Sequence, residues 1–157
     1  MRFIFIFCFF VIISFSSNAT PQSEQIYTSS SNTATFVELY TSQGCSSCPP
    51  AEKWLSTLTD DPTLWHELIP INFHVDYWDY LGWKDPFAKQ IFSERQRLYK
   101  SVGKTRVVGT PGFVVNGAGW QGWFKGHPIP QNVAASHGRL QVNVKNQTAL
   151  VHYWSSE

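Results

Sequence analysis

Polar and hydrophobic residues alternate in two regions of the chain, which is the pattern of a half-buried β-strand. The first region is residues 71–76, INFHVD. The second lies between residues 140 and 153, where two alternating stretches flank the turn sequence KNQ and predict a β-hairpin. Residues 35–41, TFVELYT, are rich in β-branched and aromatic side chains and predict a further strand.

Helical periodicity follows the strand at 35–41. Apolar residues recur there at positions i, i+3, i+4 and i+7 of an amphipathic helix: Ala51, Trp54, Leu55 and Leu58. A second helix is predicted from Asp85-Pro86 to about Lys100, since aspartate is a good N-cap and proline fits the first helical position. This helix is expected to bury five side chains: Ala88, Ile91, Phe92, Leu98 and Tyr99.

A short strand is predicted at residues 113–115, followed by the hairpin turn signal Asn116-Gly117. Strands and helices therefore mix along a chain of 157 residues, which is long enough for one domain of ordinary size. The predicted fold class is α/β, with a small mixed β-sheet flanked by helices and a C-terminal β-hairpin.

The amino terminus has the composition of a secretory signal peptide. Met1-Arg2 precede an apolar run at residues 3–15, and small or polar residues follow it up to Ala19. The run is shorter than the roughly 20 residues that a spanning helix needs. We therefore expect cleavage after Ala19, export to the periplasm or outside the cell, and no stable membrane anchor.

Four segments are predicted along the chain. Residues 1–19 are the signal peptide, and residues 20–34, which are polar and rich in Ser and Thr, form a flexible leader. Residues 35–138 form the main domain. Residues 139–157 form the C-terminal hairpin, which could be the truncated start of a further β segment.

Charge excludes one class of function. The chain has 12 Lys+Arg and 11 Asp+Glu, and loss of Arg2 with the signal peptide leaves 11 of each. The mature chain is therefore neutral, and no basic patch is visible in its sequence. Nucleic-acid binding has no support.

Two cysteines, Cys45 and Cys48, remain after Cys8 leaves with the signal peptide. In an oxidising compartment they can pair only with each other or with another molecule. A cysteine-only zinc site would need two further ligands. The pair is either redox-active or a small structural disulfide. Its place between a strand and a helix favours redox chemistry, because a helix N-terminus stabilises a thiolate.

The order of the two cysteines suggests their roles. Cys45 would attack a substrate sulfur and Cys48 would resolve the mixed disulfide. Pro49 and Pro50 fit only the first turn of a helix, so we expect that helix to begin nearer Cys48 than Cys45.

Other polar residues near the pair have open interpretations. Glu38, on the preceding strand, could relay protons, although a solvated strand residue is favoured because glutamate is rarely fully buried. His74 could complete a copper site with Cys45 and Cys48, but the strand alternation already explains it as a polar-face residue. The aromatic residues after it could line a peptide-binding groove or simply pack the loop: Tyr77, Trp78, Tyr80 and Trp83.

Longer motifs resemble known proteins. The stretches VELYTSQGCSSC, FHVD and VVGTPGFVVNG occur in the order of the thioredoxin fold, and the last is similar to the cis-proline strand of bacterial disulfide oxidoreductases. VELYTSQGCSSCPPAE together with FHVDYWDYLGWKDPFA resembles the secreted thioredoxin-like family catalogued as domain of unknown function 1223. The resemblance covers about residues 35–145, and members of that family usually continue into a further β-rich segment.

The resemblance implies a redox pair of Cys45 and Cys48, with a cis Thr110–Pro111 bond packed against it. Thr110 would then pair with substrate backbone. The function expected is an exported thiol–disulfide oxidoreductase that acts on protein or small-molecule thiols, with a redox partner and no bound cofactor. Two alternatives remain open: a copper-handling or other metal-handling protein, and a non-catalytic binding domain.

Overall fold

The structure, a computed structural model, describes residues 23–29, 33–131 and 138–155. The predicted signal peptide lies outside the described residues. Within these ranges, seven strands and two helices follow one another in the order β1 (Gln25–Thr28), β2 (Thr35–Thr41), α1 (Pro49–Ser56), β3 (Leu68–His74), α2 (Gln90–Ser101), β4 (Gly112–Val115), β5 (Ala118–Trp120), β6 (Arg139–Lys145) and β7 (Thr148–Trp154). Short 3₁₀ turns occupy Thr57–Asp60, Asp79–Leu81 and Gly122–Lys125. Within the described part of the chain, no helix combines the length and apolar character needed to cross a membrane.

The larger sheet has the strand order β3-β2-β4-β5. Strand β3 runs parallel to β2, whereas β4 is antiparallel to both β2 and β5. All residues of β2 except Phe36 are buried. The fold is therefore a mixed α/β arrangement built around one central strand, as the sequence predicts at that level.

Alternation along β2 divides the core between the two faces of the sheet. Val37 and Leu39 face a cluster that includes Ala51 of α1. Tyr40 faces the other side and packs with Val75 and Val114. The two helices thus complete separate hydrophobic layers, each formed by every second residue of the same strand.

Strand β3 lies at one edge of this sheet, and backbone groups on its open side have partners outside the sheet. The Trp65 N–H donates to the Leu68 carbonyl at 2.8 Å, and the Lys89 N–H donates to the His74 carbonyl at 3.2 Å. Pro70, between them in β3, has no N–H to donate. Proline in a sheet is confined largely to such edge strands.

Both predicted hairpins are confirmed. Asn116 and Gly117 join β4 to β5 with φ angles of 49° and 79°, the positive values that a two-residue type I′ turn requires. Asn146 and Gln147 join β6 to β7 with φ angles of 49° and 62°. The second turn uses two residues with side chains where glycine would have been less strained.

The leader prediction is wrong for residues 25–28. These residues form β1, which pairs antiparallel with β6 in a second sheet of order β1-β6-β7. All four side chains of β1 are exposed. Because strand pairing uses backbone groups that every residue but proline carries, a polar segment can form a strand when a partner edge is open.

The second helix differs from the prediction at its start and on its buried face. It begins at Gln90, and Asp85 lies in the preceding loop. Ile91 and Leu98 are exposed, whereas Ser93 and Gln96 are buried. Ser93 Oγ donates to Asp76 Oδ1 at 2.5 Å, and the Gln96 amide donates to a loop carbonyl. Hydrogen bonds to neighbouring loops therefore set the orientation of α2.

Glu38 is fully buried, so the favoured interpretation of a solvated residue is wrong. Arg95 of α2 donates to both of its carboxylate oxygens, at 2.8 and 3.0 Å. The hydroxyls of Tyr40 and Tyr99 each donate to it at 2.6 Å. Burial raises the pKa of Glu38, but these hydrogen bonds and the Arg95 charge outweigh it and hold the pKa below its ordinary value. A buried carboxylate with four donors fixes α2 to the sheet.

Replacement of Glu38 by glutamine should destabilise the protein. We expect Glu38→Gln to lower the free energy of unfolding by about 2 kcal/mol at pH 7, because it removes the charge of a buried carboxylate that accepts four hydrogen bonds, while its ion-pair partner Arg95 is 43% exposed. The folded pKa is lowered, so the contribution is complete above the ordinary value of 4.5 and is lost as pH falls through the folded pKa. The difference in unfolding free energy between the wild type and Glu38→Gln should therefore become smaller below pH 4.5.

Urea unfolding across this pH range measures the effect. Glu94→Gln, an exposed change on the same helix, is the control and should alter stability by less than about 0.5 kcal/mol. A gap that does not change with pH would contradict an ionised Glu38.

Candidate functional site

The candidate site is the loop between β2 and α1, where Cys45 and Cys48 form a disulfide. Cys48 is completely buried, and Cys45 is 5% exposed. Helix α1 begins at Pro49, with Cys48 as its N-cap and prolines in its first positions. The prediction that the helix begins nearer Cys48 is therefore confirmed. Cys45 lies one turn before the helix and receives less of its dipole.

Local hydrogen bonds shape the loop around Cys45. Its backbone N–H donates to the Ser42 carbonyl at 3.0 Å, and the Gly44 N–H donates to Ser42 Oγ at 3.1 Å. Ser47 Oγ lies 3.6 Å from Cys45 Sγ. A hydroxyl at this position can donate a hydrogen bond to the sulfur when it becomes a thiolate.

The Thr110–Pro111 peptide bond is cis, as the family resemblance implies. Trp78 connects this segment to the cysteine loop. Its indole Nε1–H donates to Thr110 Oγ1 at 2.7 Å. On the other side, a Cβ added to Gly44 would lie only 3.1 Å from Trp78 Cβ, so a side chain there would crowd the tryptophan.

Gln96 supports the same segment from α2. Its amide Nε2 donates to the Gly109 carbonyl at 2.7 Å, and its Oε1 accepts from the Tyr77 hydroxyl at 3.0 Å. A Cβ added to Gly112 would lie 2.6 Å from the Gly109 carbonyl oxygen and 2.9 Å from Gln96 Nε2. This tight bend therefore needs glycine at position 112.

Asp85 joins the cysteine loop to His74. Its Oδ2 lies 2.6 Å from His74 Nδ1 and accepts the Gln43 backbone N–H at 2.8 Å, while its Oδ1 accepts the Phe87 N–H at 2.9 Å. Burial raises the pKa of Asp85, but the hydrogen bonds from Gln43, His74 and Phe87 outweigh it and hold the pKa below its ordinary value. Asp85 is therefore a buried carboxylate at neutral pH.

A groove with a volume of about 640 Å³ runs along the face of α1 and β3. Cys45, Glu52 and His74 line it together with apolar side chains such as Leu55 and Trp65. Glu52 accepts a hydrogen bond from the buried Thr41 hydroxyl. The sulfur of the pair that borders this groove is thus Cys45, which is the one predicted to react first.

The four aromatic residues after β3 have two different roles, loop packing and an exposed aromatic surface. Tyr77 and Trp78 are half-buried and hydrogen-bonded inside the protein. Tyr80 and Trp83 are 77% and 61% exposed. Trp83 Nε1 donates to the Gln43 side chain at 2.8 Å, so it stays next to the cysteine loop. The first two residues pack the loop, and the last two present aromatic surface beside the site.

The two weaker candidates are Glu38, as a proton relay, and a metal site that includes the cysteines. The hydrogen bonds that Glu38 accepts come from β2 and α2 rather than from the disulfide, and a role in proton relay stays a prediction. Among residues 23–29, 33–131 and 138–155, no group of three or more His, Cys, Asp or Glu side chains is arranged to hold a metal ion. The alternative of Cys45, Cys48 and His74 as metal ligands gains no support from this arrangement.

Asp85 and Gln96 are parts of the site that the sequence pattern did not indicate. Asp85 reads as an ordinary N-cap before proline, and Gln96 as a surface residue of a helix. Both act through partners that are distant in sequence. One sequence signal could have identified them: a polar residue at a position that is predicted to pack against the sheet. Such a residue needs a hydrogen-bonding partner when it is buried.

Loss of the Trp78 hydrogen bond should destabilise the junction between the two loops. We expect Trp78→Phe to lower the free energy of unfolding by about 1–2 kcal/mol, because Thr110 Oγ1 loses a donor in a partly buried position. Trp83→Phe removes an equivalent indole hydrogen bond at an exposed position and should cost less than about 0.5 kcal/mol. Guanidinium unfolding of the two variants measures the difference, and equal costs would contradict a special role for Trp78.

Comparisons with known proteins identify a family without an assigned activity. No curated protein matches the chain. A crystal structure of an Agrobacterium tumefaciens protein from the Northeast Structural Genomics Consortium is 38% identical, with a TM-score of 0.46. The match covers 56% of this chain and 36% of that one, so this chain spans little more than a third of that protein's length. The family model described as protein of unknown function (DUF1223) matches residues 36–153. The chain belongs to this DUF1223 family.

Proposed function

We propose that this protein is an exported thiol–disulfide oxidoreductase with a thioredoxin-like fold, in which Cys45 is the nucleophile and Cys48 the resolving cysteine. One observation carries the proposal: the disulfide lies at the N-terminus of α1 with Cys48 buried and Cys45 on a groove. A nearly buried sulfur that borders a groove, in front of a completely buried one, is an arrangement that a mixed-disulfide mechanism can use.

The order of the elements supports the thioredoxin-like part of the proposal. A strand, the cysteine pair, a helix, a parallel strand, a second helix and an antiparallel hairpin follow one another from β2 to β5. The cis Thr110–Pro111 bond opens the hairpin, and Trp78 links it to the cysteine loop. In this proposal Thr110 pairs with the backbone of a bound substrate. The apolar residues 3–15 supply the signal for export.

A structural role explains the pair less well. The disulfide joins residues only three positions apart, and the stabilisation expected from loop closure falls as the loop becomes smaller. Helix α1 and strand β2 are already fixed by a shared hydrophobic cluster. The chain therefore gains little stability from this bond and gains a reactive sulfur at a groove.

The reaction follows from the oxidised pair. A substrate thiolate attacks Cys45 Sγ, the new sulfur–sulfur bond forms, and the Cys45–Cys48 bond breaks with its electron pair on Cys48. A second substrate thiolate then attacks the first substrate sulfur and releases Cys45 as a thiolate. The substrate becomes a disulfide, and the pair takes up two electrons. The reverse sequence reduces a substrate disulfide, and the redox partner sets the net direction.

The first test is the reduction potential of the pair, measured on the chain without residues 1–19 in glutathione buffers. We expect a value above about −300 mV, in the range of labile and catalytic disulfides. The same protein should catalyse exchange between a protein disulfide and glutathione faster than glutathione alone. A potential far below about −300 mV together with no catalysis would overturn the proposal.

Single cysteine variants separate the two roles. Cys45→Ser should abolish the exchange activity. Cys48→Ser should abolish turnover but accumulate a mixed disulfide at Cys45, detectable by mass spectrometry. A mixed disulfide that accumulates at Cys48 in Cys45→Ser, and not at Cys45 in Cys48→Ser, would reverse the assignment of the nucleophile.

A further inference from the structure

His74 is held in one orientation by a buried carboxylate. The Asp85 oxygen on its Nδ1 side lies at 2.6 Å, and the edge of the Phe87 ring packs against the imidazole with ring centroids 5.4 Å apart. Asp85 is itself fixed by two backbone N–H donors, from Gln43 and Phe87. A histidine on the surface of a strand needs no such support for packing alone.

The arrangement also sets which ring nitrogen can exchange a proton. Asp85 is a carboxylate and can only accept, so His74 Nδ1 carries the hydrogen and donates it. In the neutral ring, Nε2 then carries the lone pair that can accept a proton. The amide nitrogen of Asn72, a donor, lies 3.5 Å from Nε2, which agrees with this tautomer. The proton-accepting nitrogen is therefore on the side away from Asp85.

His74 and Cys45 border the same groove. The side chain of His74 is only 17% exposed, and the residue is part of the groove lining. Asp85 is also bound to the backbone of Gln43, two residues before Cys45, so one carboxylate positions both the imidazole and the cysteine loop. Asp85 thus couples the position of the imidazole to that of the loop that carries Cys45.

The charged groups around His74 are mainly acidic. Asp85 contacts the ring, Asp79 accepts the Asp85 backbone N–H, and Glu52 lines the groove from α1. Lys89 donates its backbone N–H to the His74 carbonyl, while its ammonium lies over the Phe92 ring. The imidazole that lines the groove shared with Cys45 therefore has carboxylates around it.

We propose that His74 is the acid–base residue for Cys45, held in place by Asp85. This inference rests on the proposed oxidoreductase function. In the reduced protein, Nε2 takes the proton of the Cys45 thiol, and the thiolate attacks one sulfur of a substrate disulfide. The bond to Cys45 forms, the substrate disulfide breaks, and the leaving sulfur takes the proton back from the imidazolium. Cys48 then attacks Cys45, and its own proton goes to the second leaving sulfur, so that the substrate gains two electrons and two protons.

The test uses the alkylation rate of Cys45 by iodoacetamide in the Cys48→Ser protein, measured from about pH 5 to 9. With His74 present, we expect a rise in rate at a lower pH than the range in which a free thiol ionises, in addition to the rise from the free thiol. His74→Asn keeps a donor at the position of Nδ1 and removes Nε2. At pH 6 this variant should react at least about tenfold more slowly.

Two further variants distinguish chemistry from structure. His74→Gln places an amide in the groove without the Nδ1 donor, and it should lose the same low-pH reactivity as His74→Asn. His127→Asn changes an exposed histidine outside the groove and should leave the pH profile unaltered. Thermal unfolding identifies variants that fail to fold, and either His74 variant alone then suffices.

The outcomes separate this inference from the proposed function. If His74→Asn retains the wild-type profile, or slows alkylation equally at every pH, His74 has no acid–base role, whatever the exchange assay shows. The other outcome is that His74→Asn loses the low-pH rise in alkylation rate while the wild-type protein catalyses no disulfide exchange. In that case His74 does act on Cys45, and the proposed oxidoreductase function is wrong.

Discussion

The burial of β2 on both faces is the constraint on which the rest of the structure depends. Strands β3 and β4 pair with it on either side, and a hydrophobic cluster covers each face. A polar residue in such a strand must find its partner inside the protein. Glu38 does so through Arg95, and Thr41 does so through Glu52. The strand therefore dictates where α2 and α1 attach, and it ends at the cysteine loop.

These contacts of Glu38 and Thr41 lie on opposite faces of β2 and serve different purposes. On the α2 face, Glu38 and its donors form a closed network that fixes the helix. On the α1 face, Glu52 and Cys45 border an open groove. This division keeps the most strongly bound carboxylate away from the disulfide. Asp85, at the end of the sheet, is the buried carboxylate that contacts the cysteine loop.

Features governed by neighbours in sequence could be predicted, and features governed by distant partners could not. The turn at Asn116-Gly117 and the start of α1 after Cys48 depend on the backbone preferences of a few adjacent residues. Glu38 pairs with Arg95 across 57 positions, and Asp85 accepts a hydrogen bond from Gln43 across 42. Residue type alone therefore gave the wrong exposure for Glu38 and the wrong role for Asp85. All four side chains of β1 are exposed, so polar and buried positions do not alternate along it. The strand is recognised only by its backbone pairing with β6.

The open side of β3 limits how another chain can approach Cys45. Successive residues of a strand direct their backbone groups to opposite edges, so Leu68, Pro70, Asn72 and His74 share the outer edge. The Leu68 and His74 carbonyls are already occupied, and Pro70 has no donor. The Pro70 carbonyl, both backbone groups of Asn72 and the His74 N–H remain on that edge, so only a short additional strand can pair there, which limits aggregation through sheet extension. A polypeptide partner that binds along this groove can therefore form few backbone hydrogen bonds with β3, and its side chains must supply the rest of the recognition.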